Sequence, residues 1–351
     1  MALILKLDRK LNLEYRCFII DDKEIGDVMI VFNSIEDIVL DADTCVTIGN
    51  FDGVHMGHQE LISKTVKYAK KKRLKSVVFT FSNHPVNFFK PGYVKNIISQ
   101  EQKQALIEKL GVDVYVNIPF DITMTQISAR DYVKKILVDK LRIKKVIVGH
   151  DFSFARKKEG NPEKLIDFGK EYNFGVEIVT PVLLDGKRVS STDIRTLISN
   201  GDVAGAKKLL GQYYCIEGIV VEGRQIGRTI GFPTANIDYD KSMVIPRMGI
   251  YASLATVDGN VYCGATNIGT NPTVHGKKVT IETYILDFDQ MIYGKKLKVE
   301  FVEHMRDEVK FKSKENLMNQ LKKDVAYVRE NYVSCLKSSM DKVKPSIDKV
   351  K

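Results

Sequence analysis

Residues 46–58 read VTIGNFDGVHMGH, and this stretch decides how the first half of the chain folds. Its first three residues predict a short apolar strand, and apolar residues at helical spacing predict a helix over residues 58–72. The glycines between the two permit tight turns and a close approach of the backbone to a phosphate. Such a loop lies at the carboxyl end of a strand, where open α/β sheets bind ligands.

The alternation of strand and helix continues to about residue 200. Ser99 and Gln102 have the spacing of a capping box, so a helix is predicted to begin after Ser99 and to end at Gly111. Further strands are predicted at residues 76–81, 112–118, 145–149 and 176–179, and further helices from Ser128 and over residues 161–172. This order predicts a parallel sheet with helices on both faces, a Rossmann-like α/β domain.

The pattern changes near Gly211 and becomes rich in strands. Asp258-Gly259 between two apolar runs is a strong hairpin turn. Strands are predicted at residues 214–222, 249–257, 260–266, 279–287 and 296–302, followed by a helix from Ser313 to about Tyr332. We expect a small antiparallel β-barrel that closes with this C-terminal helix.

The predicted organisation has four parts. An α/β domain covers residues 29–205 and a barrel domain covers residues 206–335. Residues 1–28 form an N-terminal extension whose role the sequence does not indicate. Residues 336–351 are rich in Lys and Ser and are predicted to be a flexible tail.

Composition limits the class of protein. The longest apolar runs are only a few residues, so no transmembrane helix and no membrane partner are predicted. The start of the chain lacks the apolar stretch of a signal peptide, and the 5 cysteines are scattered without a CxxC pair. These features argue against a disulfide framework or a zinc site and favour a cytoplasmic location.

The net charge of +10 is compatible with nucleic acid but also with polyphosphate substrates. The densest basic run, residues 67–75, falls at the end of a predicted helix, and a solvated helix face explains it better than an RNA-binding patch. No pattern of a known nucleic-acid-binding module occurs, so small molecules rather than nucleic acid are the predicted partners. The oligomeric state is not indicated by the sequence.

Two distant segments of the α/β half suggest phosphate chemistry. His55 and His58 flank Gly57, so both imidazoles can face one anion beside a helix N-terminus. Attack at an α-phosphorus releases pyrophosphate, whose growing charge needs fixed donors. Residues 188–195, RVSSTDIR, offer hydroxyls, backbone N–H groups and a guanidinium that suit a triphosphate. The alternatives are capping or core histidines and an ordinary Ser/Thr N-cap, but the pairing of the two segments is more specific than either alone.

A third segment, residues 218–236, reads GIVVEGRQIGRTIGFPTAN and suggests a mobile, turn-rich loop between strands. The chain has no GxxxxGK[ST] motif, so it is not a P-loop kinase. Thr234 and Asn236 are two residues apart on an extended segment, share a face, and offer oxygens to a cation such as Mg²⁺. Glu282 can take a proton from an attacking hydroxyl, or it is a surface residue of an alternating strand.

The first half of the chain resembles the HxGH nucleotidylyltransferases, and among them the FAD synthetase module of bacterial riboflavin kinase/FAD synthetases. Residues 49–62 (GNFDGVHMGHQELI), 80–85 (TFSNHP) and 149–154 (GHDFSF) carry the resemblance, and Ala155 stands where a glycine is usual. The resemblance implies that His55 and His58 are catalytic and contact the ATP phosphates. It further implies an ATP site that includes Gly49, Asn50, Asp52, Asp151, Arg188, Ser191, Thr192 and Arg195.

The segment 218–236 resembles the flavokinase signature, and matches continue in order through Ile281-Glu282 to Arg306. The resemblance implies that Thr234 and Asn236 hold Mg²⁺ and ATP, that Glu282 is the general base on the riboflavin 5′-hydroxyl, and that Arg306 lies on a loop near the flavin. The ATP site of this half would also include Gly223, Gly227 and Gly231. The chain departs from the family at Asn271 and Tyr284.

The sequence therefore predicts a bifunctional enzyme that uses ATP twice. The barrel would phosphorylate riboflavin to FMN, and the α/β domain would transfer AMP to FMN, giving FAD and pyrophosphate. Mg²⁺ is expected in both steps, since each depends on positioning and charge neutralisation. The alternatives are a protein that keeps only one activity, and a flavin-sensing or RNA-binding regulator on an enzyme scaffold.

Overall fold

The structure, a computed structural model, describes residues 28–223, 226–273 and 276–333. Apart from Val28, the predicted N-terminal extension lies outside the described residues, and so does the predicted tail. The described residues form two compact units, of which the first ends at Arg195 and the second begins at Thr196. The domain limits of 29–205 and 206–335 stay a prediction.

The first unit contains a parallel sheet of six strands. Its strands are β1 (Ile30–Phe32), β2 (Thr44–Ile48), β3 (Lys75–Phe81), β4 (Val114–Ile118), β5 (Ile143–Gly149) and β6 (Gly175–Val179). Its helices are α1 (Met56–Lys72), α2 (Pro85–Phe89), α3 (Gln100–Lys109), α4 (Ile122–Gln126), α5 (Ala129–Asp131), which continues as the π-helical segment Tyr132–Lys140, and α6 (Pro162–Tyr172). A short hairpin of β7 (Leu183–Leu184) and β8 (Lys187–Arg188) precedes α7 (Ser191–Ser199).

The strands of this sheet lie in the order β1-β4-β3-β2-β5-β6, and each pairs in parallel with its neighbours. The predicted parallel α/β architecture is confirmed. From β2 the chain moves outward through β3 and β4, and then returns to the other side of β2 to form β5. The loop that follows β2 therefore lies at the point where strand order reverses, which is where such sheets bind ligands.

Local sequence explains most of these elements. Ser99 and Gln102 form both hydrogen bonds of the predicted capping box at the start of α3. Asn161 caps α6 by accepting from the backbone N–H of Lys164 at 2.9 Å. The elements that the sequence analysis did not find are short, since β1 has 3 residues and α2 and α4 have 5 each. Segments of that length show no periodicity to detect.

The second unit is a closed antiparallel barrel with strand order β10-β13-β12-β11-β14-β9. Its elements are α8 (Val203–Leu210), β9 (Tyr214–Val221), α9 (Ile226–Thr229), β10 (Ala235–Tyr239), β11 (Gly249–Val257), β12 (Asn260–Thr273), β13 (Gly276–Ile285), β14 (Lys296–Arg306) and α10 (Lys314–Val328), which continues as the π-helical segment Arg329–Val333. The predicted barrel and C-terminal helix are confirmed.

Strands β12 and β14 of the barrel extend beyond their predicted ends. β12 was expected to end at residue 266, because the Gly, Asn and Pro residues that follow are typical of turns. The structure continues its pairing with β13 through Gly269↔Thr280 to Thr273↔Gly276. The segment 226–229, expected as part of a mobile loop, forms the short helix α9.

Three buried hydroxyl groups cross the barrel wall. Ser253 Oγ donates to the carbonyl oxygen of Gly264 at 3.0 Å and lies 2.7 Å from Thr266 Oγ1. Thr266 Oγ1 in turn lies 2.9 Å from Thr283 Oγ1. All three hydroxyl-bearing residues are at most 2% exposed, so this hydroxyl row satisfies polar groups in the core without water from the surface.

Candidate active sites

His55 and His58 lie together at the start of α1. His55 is the N-cap, and its Nδ1 accepts from the backbone N–H of His58 at 3.3 Å. The two imidazoles stack, with ring centroids 3.5 Å apart and planes inclined by 18°. A Cβ atom on Gly57 would lie only 3.2 Å from the His55 ring, so the smallest residue suits this position. His55 is thus a capping residue, as the plainer interpretation had it, and also part of a stacked pair at a helix N-terminus.

Both histidines are neutral near pH 7. Burial lowers the pKa of His55 to about 4, and the positive charges of Arg188 and Arg195 lower it further. Burial also holds the pKa of His58 well below its usual range, with contributions from His55, Lys103 and Arg195. Each ring therefore keeps one N–H to donate to an anion. His58 Nδ1 is buried and has no hydrogen-bond partner among the described residues.

Asp52 connects the loop after β2 to the start of α7. Its carboxylate accepts from the backbone N–H groups of Ile97 at 3.0 Å and Ile98 at 3.3 Å, and also forms an ion pair with Arg195. The carbonyl oxygen of Asp52 accepts from Ser191 Oγ at 3.0 Å. Residues that lie far apart in the sequence are therefore brought together, as the pairing of the two segments predicted.

The N-terminus of α7 begins at Ser191, in agreement with the sequence. The ordinary N-cap is Ser190, whose hydroxyl accepts from the backbone N–H of Asp193 at 3.2 Å. Thr192 lies in the first turn of the helix. Gly49, Asn50 and Asp52 of the predicted ATP site lie in the loop after β2. Arg188 forms an ion pair with Asp151 at 2.5 Å.

Three further residues of the predicted ATP site, Asp151, Asn50 and Gly49, contact neighbouring residues of the chain. Burial would raise the pKa of Asp151, but the hydrogen bond and charge of Arg188 outweigh it, so the pKa is lowered. The carbonyl oxygen of Asn50 accepts from Thr80 Oγ1 at 3.1 Å. A Cβ atom on Gly49 would lie 3.1 Å from the ring of Phe51, which explains the small residue there.

Sequence reasoning missed a buried lysine in the same unit. Lys103 is 3% exposed, and its Nζ donates to the carbonyl oxygen of Phe81 at 2.8 Å. Burial lowers its pKa to about 8, and the charge of Asp52 opposes this effect. It lines a small polar cavity together with Asn50, Asp52 and His84. The sequence did contain an indication of this burial, because Lys103 lies four residues before Ile107 and therefore on the same, apolar face of α3.

A cluster of four phenylalanines follows strands β3 and β4. Phe120 lies edge-on to Phe81 at 5.2 Å and to Phe88 at 5.9 Å between ring centroids. Phe89 belongs to the same cluster and is 66% exposed. An exposed aromatic surface of this kind suits a planar aromatic ligand. Neither Phe88 nor Phe89 was selected from the sequence, because aromatic residues without a motif are more often core residues.

Ala155 has an unusual backbone conformation. Its φ is +64° and its ψ is −178°, a region that is essentially restricted to glycine. Glycine is usual at this position in the family that the sequence resembles. The alanine of this chain therefore occupies a backbone conformation that favours glycine. The loop nevertheless keeps the turn that brings Phe154 and Gly160 together.

In the barrel, Asn236 and Glu282 are directly opposite each other on β10 and β13. Their neighbours Ile237, Ile281 and Thr283 are buried, so Asn236 and Glu282 point away from the barrel interior. A Cβ atom on Gly223 would lie 2.4 Å from Asn236 Nδ2, so only glycine allows this approach. The structure therefore brings Gly223, Asn236 and Glu282 together.

Thr234 lines a cleft of about 270 Å³ at the barrel. The cleft walls combine the polar residues Arg228 and Thr283 with apolar ones such as Ile285 and Phe288. Gly227 lies within α9, where a Cβ atom would be 2.2 Å from the carbonyl oxygen of Phe232. Gly231 follows with φ of +82°, which favours glycine.

The prediction that Arg306 lies on a loop is wrong. Arg306 is the last residue of β14, because the strand extends beyond its predicted end at residue 302. Its guanidinium binds Asp324 of α10 through Nε at 3.0 Å and Nη2 at 2.6 Å. Asp324 is 4% exposed and also accepts from Gln320 at 3.0 Å. This partly buried ion pair links the C-terminal helix to the barrel.

Among residues 28–223, 226–273 and 276–333, no helix is long and apolar enough to cross a membrane. The same residues contain no group of three or more His, Cys, Asp or Glu side chains that could hold a metal ion.

Comparison with known proteins gives consistent matches for both units. The family described as FAD synthetase matches residues 38–193, and the family described as riboflavin kinase matches residues 210–332. A bifunctional riboflavin kinase/FMN adenylyltransferase of Haemophilus influenzae is 38% identical, over 80% of this chain and 91% of its own. The proteins of the same description from Bacillus subtilis and Escherichia coli are 36% and 34% identical, over 81% and 82% of this chain and 90% and 92% of their own.

A solved structure is also similar. It comes from Streptococcus pneumoniae, where it is described as a macrolide-efflux protein, and it aligns with a TM-score of 0.80 at 31% identity. The alignment covers 86% of this chain and 98% of that one. The likeness therefore extends over most of both chains.

Proposed function

Since this chain belongs to the family of bifunctional riboflavin kinase/FMN adenylyltransferases, we propose that it makes FAD from riboflavin in two consecutive steps. The second unit phosphorylates riboflavin to FMN, and the first unit adenylylates FMN. The observation that supports this proposal is that the motif side chains expected for each reaction lie together within one unit. His55 and His58 stack in one unit, and Asn236 faces Glu282 in the other.

In the kinase step, the 5′-oxygen of riboflavin forms a bond to the γ-phosphorus of ATP, and the bond between that phosphorus and the β-γ bridging oxygen breaks. Glu282 accepts the proton of the attacking hydroxyl, and ADP leaves. This role is supported by the position of Glu282 on the outer face of the barrel, opposite Asn236. A positioned general base contributes roughly 10²- to 10⁴-fold to such a transfer.

The residues at this site are compatible with Mg²⁺. Thr234 contributes a hydroxyl, Asn236 a carboxamide oxygen, and Glu282 lies on the neighbouring strand. Mg²⁺ commonly uses few protein ligands and completes its shell with water and substrate phosphates, so a larger acidic cluster is not required. When bound, the cation would neutralise phosphate charge. Arg228 of the adjacent cleft is exposed and available to the rest of the nucleotide.

In the adenylyl transfer step, a phosphate oxygen of FMN bonds to the α-phosphorus of a second ATP, the bond between that phosphorus and the α-β bridging oxygen breaks, and pyrophosphate leaves. His55 and His58 would donate N–H groups to the phosphates from the start of α1, which also attracts anions. Ser191 and Thr192 at the start of α7 would bind the leaving phosphates. Arg188 and Arg195 are paired with Asp151 and Asp52, so a triphosphate would compete with these carboxylates for the guanidinium groups.

The phenylalanine cluster provides a place for the flavin ring in this step. Phe88 and Phe89 present aromatic surface to solvent near the carboxyl ends of β3 and β4. A flat isoalloxazine ring would cover it, with its phosphate directed toward the loop after β2. We also propose a cytoplasmic location, which is supported by the scattered spacing of the 5 cysteines in the sequence.

One assay with two variants tests the proposal. The unaltered protein, incubated with riboflavin, ATP and Mg²⁺, should form FMN first and FAD afterwards. His58→Ala should accumulate FMN and lose adenylyl transfer by roughly 10²- to 10³-fold, because a fixed donor to the transition state is removed. Glu282→Gln should fail to phosphorylate riboflavin but should still convert supplied FMN to FAD.

The two variants serve as controls for each other, since each should spare the activity that the other loses. If His58→Ala formed FAD from FMN at the rate of the unaltered protein, the assignment of the first site would be wrong. No conversion of riboflavin or FMN by the unaltered protein would remove the proposed function altogether.

A further inference from the structure

A third polar side chain stands beside Asn236 and Glu282. Asn267 lies on β12 directly opposite Glu282, just as Asn236 lies opposite Glu282 on the other side. Its neighbours Thr266 and Ile268 are fully buried, so Asn267 also points away from the barrel interior. Residues directly opposite each other in antiparallel strands have Cβ atoms about 5 Å apart, so the three form one row across three strands.

The contacts within the folded chain do not explain why asparagine stands at position 267. Its Oδ1 is buried and accepts no hydrogen bond from any described residue. A buried acceptor without a donor costs free energy comparable to that of a lost hydrogen bond. Asparagine is also a poor strand former, so neither packing nor propensity favours it here.

The surroundings of Asn267 are rich in acceptors. Glu282 lies opposite Asn267 on the neighbouring strand β13. The carboxylate of Glu308 lies next to Gly269, two residues further along β12. A Cβ atom on Gly269 would lie 2.2 Å from Glu308 Oε1 and 3.2 Å from Asn267 Nδ2, so glycine keeps this approach open. A group that binds between these oxygens must therefore bring a donor.

We propose that Asn267 is a substrate-binding residue of the kinase site and that its Oδ1 accepts a hydrogen bond from a hydroxyl of the substrate's polyol chain. This inference rests on the proposed function, which supplies a substrate with several hydroxyls next to the one that reacts. Asn267 then holds the chain so that the reacting hydroxyl faces Glu282. The buried oxygen has its donor only when substrate is bound, which makes the contact selective for a polyol.

The test compares Asn267→Ala with Asn260→Ala, an exposed asparagine at the far end of the same strand. Asn267→Ala should lower kcat/KM for riboflavin phosphorylation by roughly 10- to 100-fold, in line with the loss of one buried hydrogen bond. Asn260→Ala should phosphorylate riboflavin normally. Both should convert supplied FMN to FAD at the unaltered rate.

Asn267→Asp separates a substrate contact from a structural role. It keeps an acceptor oxygen, so it should retain more activity than Asn267→Ala. The activity lost in Asn267→Ala should appear mainly as a higher KM for riboflavin, because the missing contact is one to the bound substrate.

Unchanged riboflavin phosphorylation by Asn267→Ala would overturn the inference. So would an Asn267→Asp variant that is no more active than Asn267→Ala. Thermal melting of each variant shows whether the barrel is folded, and Asn267→Asp decides the question if Asn267→Ala does not fold. Failure of the unaltered protein to phosphorylate riboflavin would instead overturn the proposed function, and this inference with it.

Discussion

At the scale of single residues, His55 shows how burial fixes a protonation state. Its ring is 5% exposed and its pKa is lowered to about 4 by burial, so the folded protein keeps it neutral far below its usual range. The unfolded chain binds this proton below about pH 6.5. Between pH 6.5 and 4 the unfolded state therefore binds more protons than the folded state. The contribution of His55 to the unfolding free energy is fully present above pH 6.5 and is lost as the pH falls toward 4.

This difference predicts a pH dependence of stability. The unfolding free energy should fall by about 3 kcal/mol between pH 6.5 and 4 on account of His55. His55→Asn should remove that part of the slope, because asparagine can still cap α1 but does not titrate in this range. Chemical denaturation at several pH values measures it, with the exposed His150→Asn as control. Parallel slopes for His55→Asn and the unaltered protein would contradict the prediction.

At the scale of elements, the loop between β5 and α6 holds a strained residue. Ala155 adopts φ of +64° with an extended ψ, which costs a non-glycine residue roughly 1–3 kcal/mol. We predict that Ala155→Gly raises the unfolding free energy by about 1 kcal/mol, after allowing for the greater freedom of glycine in the unfolded chain. Denaturant unfolding of the isolated variant measures the change.

Gly160→Ala provides the opposite control in the same loop. A Cβ atom there would lie 2.5 Å from the ring of Phe154, so this variant should be destabilised. If Ala155→Gly lowered stability as much as Gly160→Ala does, the strain assigned to Ala155 would not exist.

The elements also show what sequence patterns can and cannot predict. The capping box at Ser99 and the helical spacing in α1 are local, so both were predictable and both were found. The extension of β14 to Arg306 was not, because pairing with β11 and the contact with Asp324 decide it from elsewhere in the chain. Tertiary pairing overrides local propensity at such positions.

At the scale of the whole molecule, the class of each unit followed from motifs, whereas the contacts between distant residues did not. Asp52 and Arg195 are 143 positions apart, and no local pattern indicates that they pair. Lys103 was missed for a similar reason, since its importance depends on being buried beside Asp52. The motif residues could be selected from the sequence because their residue types and spacing are themselves typical of phosphate chemistry.

Because the two proposed sites use different residues, a mixture of two variants should combine the activities that each variant keeps. His58→Ala should supply FMN, and Glu282→Gln should convert that FMN to FAD, so an equal mixture should form FAD from riboflavin although neither variant does so alone. The delay before FAD appears should shorten as the concentration of Glu282→Gln rises. Flavin separation over time measures both. A mixture that makes no FAD, with little FMN in solution, would show that FMN is not released between the steps.

The hydroxyl row in the barrel wall has a consequence for proton direction. Each hydroxyl has one hydrogen to give. Ser253 can give its hydrogen to the carbonyl of Gly264, and either oxygen can be the donor in the pairs Ser253–Thr266 and Thr266–Thr283. When Ser253 donates to the carbonyl, Thr266 is left to donate to Ser253 and to accept from Thr283. The hydrogen of one side chain thus constrains the direction of the next, so the three hydroxyls behave as one polar unit.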